Sequence, residues 1–102
     1  MYLIRRIYKA KAGQQRKVAE LAAQASKAYE DAGQRSATQV YISGGTVPGP
    51  ANLVYLQWLS EKIESPYRDD NKIPSGATDA GAQIRDLVEE SSIEFYEVYP
   101  KA

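Results

Sequence analysis

The sequence predicts an α+β domain with the element order strand-helix-strand-strand-helix-strand. Three observations carry that reading. Apolar residues alternate with period two in four separate stretches, and they recur with period three to four in two others. The helical stretches sit between the first and second and between the third and fourth strand-like stretches. Gly and Pro clusters fall at the joints, as they do in Gly44-Gly45-Thr46-Val47-Pro48-Gly49-Pro50.

Taken in order, the first strand runs from about Tyr2 to Lys9. It mixes β-branched and aromatic residues with Arg5 and Arg6, and is read as a central strand. Lys11-Ala12-Gly13 ends it, with Gly13 suited to a tight turn. A helix over Gln14–Ala32 places Val18, Leu21, Ala22, Ala25, Ala28, Tyr29 and Ala32 on one stripe, and Gly33 stops it. A second strand covers about Ala37 to Ser43, and a third covers about Asn52 to Leu59. Ser60 is placed to cap a short helix over Glu61–Glu64. A second full helix spans about Thr78 to Ser91, with Ala80, Ile84, Leu87 and Val88 on its stripe. The last strand is Ile93 to Tyr99, stopped by Pro100. Two right-handed strand-helix-strand units of this kind interleave into a ferredoxin-like βαββαβ sandwich. It has a four-stranded antiparallel sheet with two helices on one face.

Composition bounds the function. The 102 residues make one domain, spanning 1–102, with a core large enough to fold but with little margin, so a partner subunit would help. Lys plus Arg and Asp plus Glu both number 13, so bulk charge gives no reason to expect nucleic acid or an anionic membrane as partner. With no cysteine and no histidine, disulfides, thiolate metal sites and imidazole chemistry are excluded, and no metal or cofactor is expected. No apolar run approaches the roughly 18 residues of a membrane span, and Met1 leads straight into a strand, so a soluble cytoplasmic protein is the expectation.

Alternation divides the strands between two sheet faces. Leu3, Ile7, Thr38, Val40, Ile42, Val54, Leu56, Trp58, Ile93 and Phe95 are expected under the helices. The opposite face then takes Tyr2, Ile4, Arg6, Tyr8, Gln39, Tyr41, Ser43, Tyr55, Gln57, Glu94 and Tyr96, and Arg5 points toward the helices. There are 8 tyrosines against 1 phenylalanine, and a tyrosine-rich face is apolar in area yet keeps hydroxyls available. It suits a subunit interface or a ligand cavity better than open water or a dry core.

Arg6-Ile7-Tyr8 followed by Lys11-Ala12-Gly13 resembles the Arg-x-Tyr…Lys-Pro-Gly opening of the NIPSNAP family, with Ala12 where that family has proline. Leu53-Val54-Tyr55-Leu56-Gln57-Trp58-Leu59-Ser60, leading into an acidic segment, resembles its third strand and serine-capped exit. That family, with the antibiotic-biosynthesis-type monooxygenases, belongs to the dimeric α+β barrel superfamily. The resemblance implies a homodimer that pairs two ferredoxin-like sheets face to face, with a pocket inside each half-barrel. It implies no particular reaction.

The candidate pocket comprises Arg6, Tyr8, Tyr41, Tyr55, Gln57, Trp58, Glu94 and Tyr96. Arg6 would bind a carboxylate or stabilise a phenolate or enolate, or else pair internally with Glu94. The tyrosines would orient a flat aromatic ligand, or else pack an interface. Trp58 would line the pocket if its face is assigned one register off, and otherwise packs in the core. General acid–base work would fall to Glu94, Glu97 or a tyrosine. Two functions stay open. One is a cofactor-independent oxygenase acting on an aromatic or polyketide-like substrate; the other is a non-catalytic dimeric structural or ligand-sensing module. RNA recognition is disfavoured, since Asn52–Leu59 contains no Lys, Arg or Gly. An amino-acid-sensing domain of the ACT type shares the element order.

Overall fold

The computed structural model describes residues 1–33, 37–62 and 75–100. The element order is β1 (Tyr2–Ala10), α1 (Gln15–Asp31), β2 (Gln39–Ser43), β3 (Leu53–Ser60), α2 (Ser75–Leu87) and β4 (Val88–Glu97). All pairings are antiparallel and the sheet order is β2-β3-β1-β4, so β1 is central, as the ferredoxin-like βαββαβ sandwich requires. The expected short helix over Glu61–Glu64 lies for the most part outside the described residues.

Both helices lie on one face of the sheet. Val18, Leu21 and Ala22 of α1 and Ala80 and Ile84 of α2 share one core with Ile4, Tyr8, Val54, Leu56 and Trp58. Ser26 is buried on α1 and donates its hydroxyl hydrogen to Ala22 O, one turn back in the same helix, at 2.8 Å. At the start of α1, the Gln15 side-chain amide donates to Ser43 O at 2.6 Å and Leu53 O at 2.9 Å. It thereby ties the helix to the last rung of the β2–β3 pair. The β2–β3 loop turns on Gly44 and Gly45, at φ +77 and +83. A side chain at Gly44 would meet Pro50 O at 2.8 Å.

Two expectations are corrected. The second helix does not run to Ser91: it ends at Leu87, and β4 begins at Val88. Pairing with β1 decides this, because Lys9 faces Glu90 and Ala10 faces Val88, and Lys11 N–H donates to Leu87 O at 2.8 Å. Those ladder bonds win over a helical turn whose outer residues, Glu89 and Glu90, had nothing to bury.

The phase of β1 is the second correction. Ile4, Tyr8 and Ala10 are buried, so the even-numbered residues face the helices. Leu3 and Ile7, expected under the helices, lie on the open face, while Tyr2, Ile4, Arg6 and Tyr8, expected on the open face, lie under or beside the helices. The face assignments in β2, β3 and β4 follow the registers, but Phe95, expected under the helices, is 38% exposed at the edge of the sheet, and Thr38 precedes β2.

Candidate functional site: the open face of the sheet

Directly opposed residues in a sheet point to the same side, so the registers lay out the open face rung by rung. One rung crosses all four strands as Gln39, Gln57, Arg5 and Glu94. On one side of it lie Tyr41, Tyr55, Ile7 and Ser92; on the other lie Leu59, Leu3 and Tyr96. The face is therefore a polar row between two largely apolar and aromatic rows.

The polar row is held by hydrogen bonds. Arg5 donates through Nε and Nη2 to Gln57 Oε1, at 3.2 and 3.1 Å. Its guanidinium carbon lies 5.6 Å from the Tyr55 ring centroid and 5.5 Å from that of Tyr96, within cation–π range of both. The Tyr41 hydroxyl donates to Gln39 Oε1 at 2.7 Å. The Tyr96 hydroxyl donates to Glu94 Oε1. That bond holds the Tyr96 phenol above its ordinary ionisation range. Burial and the carboxylate charge push the same way, and the Arg5 cation opposes them.

Arg5, Tyr41, Tyr55 and Gln57 line a cavity of about 280 Å³ that opens to solvent in the single chain. Three of these four were expected from sequence; the arginine was not. Arg6 lies on the helix side, between Leu56 and Ile93 in register, so it neither reaches the cavity nor pairs with Glu94. Tyr8 and Trp58 also belong to the helix-side core, each 9% exposed, and are removed from the candidate pocket. Glu94 and Tyr96 stand beside the cavity on the edge strand, next to Arg5. Within β1 the only hint was weak, Lys9 followed by small Ala10 at its end; the deciding signal is the pairing with β3, which sets Arg5 opposite Gln57 and Arg6 opposite Leu56.

No family model matches the sequence, and no curated protein matches it. Solved structures do match the fold along almost its whole length. An uncharacterised NIPSNAP domain protein from Burkholderia xenovorans superimposes with a TM-score of 0.67 at 15% identity, covering 100% of this chain and 98% of the other. A NIPSNAP family protein from Agrobacterium tumefaciens gives 0.67 at 15% identity, covering 97% and 93%. The fold is that of NIPSNAP and antibiotic-monooxygenase-type proteins. The second group is represented by an antibiotic biosynthesis monooxygenase with a TM-score of 0.66 at 13% identity, covering 98% of this chain and 100% of the other. The fold expected from the opening and third-strand motifs is thus observed. At such identities the likeness is one of architecture, and the chemistry has to be argued from the open face itself.

Among the described residues, no helix is long and apolar enough to cross a membrane.

Proposed function

We propose that two copies of the chain pair through their open sheet faces and bind a small planar aromatic or polyketide-like anion over Arg5, as a cofactor-independent monooxygenase-type enzyme. One observation carries this reading: a single arginine, braced by Gln57 and flanked by the Tyr55 and Tyr96 rings, stands over a cavity in the middle of an uncovered sheet. The guanidinium has five N–H donors, of which Gln57 engages two, so most of its hydrogen-bonding edge is available to a carboxylate or enolate. The rings supply flat apolar walls.

The character of the face supports a second copy as its occupant. Leu59, Tyr41 and Tyr96 are 48%, 46% and 41% exposed, a density of large apolar groups that water covers poorly. The chain carries no net charge, so two copies do not repel. The molecule measures 36 × 34 × 20 Å, and its broad side has room for the roughly 800 Å² per partner of a stable interface. Closing that face would enclose the cavity and exclude water from the Arg5–anion contact, which strengthens it.

A non-catalytic, ligand-sensing dimer is the second reading. It is favoured by the cavity lining itself, since Arg5, Tyr41, Tyr55 and Gln57 include no carboxylate or imidazole to accept a proton. Light scattering on the chain and on Leu59→Asp, with calorimetric titration of 1-hydroxy-2-naphthoate, tests both. A concentration-independent dimer that Leu59→Asp splits, with saturable binding, supports the proposal. A dimer that binds nothing supports a purely structural role, and a monomer overturns the paired-sheet reading.

A further inference from the structure

We infer that Glu94 is a proton acceptor for the ligand held at Arg5, and that the ligand class is an enolisable 1,3-dicarbonyl or an equivalent phenol. This rests on the binding reading above and adds a role that the cavity lining alone does not supply.

Arg5 and Glu94 occupy directly opposed positions on β1 and β4, on the same face of the sheet. Opposite charges so placed ordinarily pair. Here they do not: the guanidinium turns to Gln57 on the other neighbouring strand, and among the described residues the ion pairs are Lys9–Glu89 and Lys17–Glu20. Glu94 accepts instead from the Tyr96 hydroxyl on its own strand. A cation and a carboxylate therefore stand at opposed positions on neighbouring strands, each hydrogen-bonded to a third group and without a direct ion pair between them. A carboxylate has about four lone-pair sites, so one bond from Tyr96 leaves capacity for a proton.

A neutral, flat ligand seated between them meets both requirements of ionisation. The acidic C–H or O–H bond breaks and its proton passes to the Glu94 carboxylate. The electron pair delocalises onto the enolate or phenolate oxygen, which Arg5 holds. The carboxylate becomes neutral as the ligand becomes an anion, so the net charge of the site is unchanged and no oxidant or reductant enters. The groups facing Glu94 fit this division of roles. Arg5 is the cation on β1, with apolar Leu3 and Ile7 to either side of it; Ser92 and Tyr96 flank Glu94 on β4, and Gln57 and Tyr55 follow on β3. Tyr96, held neutral by Glu94, donates a hydrogen bond and does not compete as a base at neutral pH.

The test uses the whole chain and ethyl benzoylacetate, a planar aryl β-keto ester, in D₂O. Proton NMR follows loss of the methylene signal, and titration of the same probe gives its affinity. The protein should accelerate exchange in a saturable way, and Glu94→Gln should lower the bound-state rate about a hundredfold. Glu94→Gln should leave affinity little changed and lose the limb of the pH profile on which a carboxyl group ionises. Glu94→Asp should restore part of the rate. Because position 94 is exposed, the circular dichroism of the variants should match that of the parent. If Glu94→Gln binds the probe normally and exchanges it at the parent rate, Glu94 is not the acceptor, and the binding reading stands without it. If the parent chain binds 1-hydroxy-2-naphthoate but not this neutral probe, the inference falls and the binding reading stands; if it binds neither, both fall.

Discussion

The sharpest prediction compares two adjacent arginines. Arg5→Met and Arg6→Met are the same substitution on neighbouring residues of one strand, but they fall on opposite faces of the sheet. Arg5→Met removes the open-face cation. Two of its five donors are engaged by Gln57, so a bound carboxylate would lose hydrogen bonds from the remaining edge. A hydrogen bond to a charged group contributes about 1.5–3 kcal/mol. At 1.36 kcal/mol per tenfold, affinity for 1-hydroxy-2-naphthoate should fall roughly ten- to a hundredfold. The two cation–π contacts go as well, each worth about 0.5–1 kcal/mol at an exposed site, so Arg5→Met should also lower stability slightly. Arg6→Met keeps an aliphatic side chain between Leu56 and Ile93, and methionine packs well in such gaps. It should leave affinity unchanged and shift stability by less than about 1 kcal/mol. Calorimetric titration reads the first quantity and urea unfolding the second. Should Arg6→Met weaken binding as much as Arg5→Met, the phase assigned to β1 is wrong. Should neither weaken it, the open face does not select anions.

Three further outcomes follow from particular contacts. In an alkaline spectrophotometric titration Tyr96 should ionise above the ordinary tyrosine range of about 10, and Glu94→Gln should bring it down toward that value. The sign for stability is that of a raised pKa: the contribution is complete below about 10 and is lost as pH rises through the higher folded value, so it is fully present at neutral pH and gives no pH dependence there. Gly44→Ala should destabilise the chain by about 1–3 kcal/mol in urea unfolding, because its φ of +77 disfavours any side chain and the new Cβ would lie 2.8 Å from Pro50 O and 2.9 Å from Ala51 Cα. Leu21→Ala, at a position 1% exposed between sheet and helices, should cost about 2–5 kcal/mol, and the spread within that range would report how far the core collapses.

The element order was legible because the two periods are distinct in this chain. Val54, Leu56 and Trp58 alternate with Tyr55, Gln57 and Leu59, so only one phase of β3 buries a consistent apolar set. Register with that strand carries Tyr41 of β2 to the open face, and the alternation of Ile93 and Phe95 carries Glu94 and Tyr96 there. β1 offers no such contrast. Leu3, Arg5 and Ile7 in one phase match Ile4, Arg6 and Tyr8 in the other almost group for group, and a central strand tolerates either. What decides between them is not local. The open-face amide of Gln57 falls opposite Arg5, and apolar Leu56 falls opposite Arg6, a pairing that exists only once the strands are in register. The same cause hid the start of β4, where Val88 continues the apolar stripe of α2 and becomes a strand only because Ala10 lies across from it. Both errors therefore sit where the chain's local pattern is ambiguous and a neighbouring strand resolves it. A slip of one residue in β1 would carry Arg5 beneath the helices and bring Arg6 to the open face, opposite Glu94 or one rung from it. The opposition of Arg5 and Glu94, from which the ionising site is argued, is thus a property of strand register that the Arg5-Arg6 sequence does not by itself disclose.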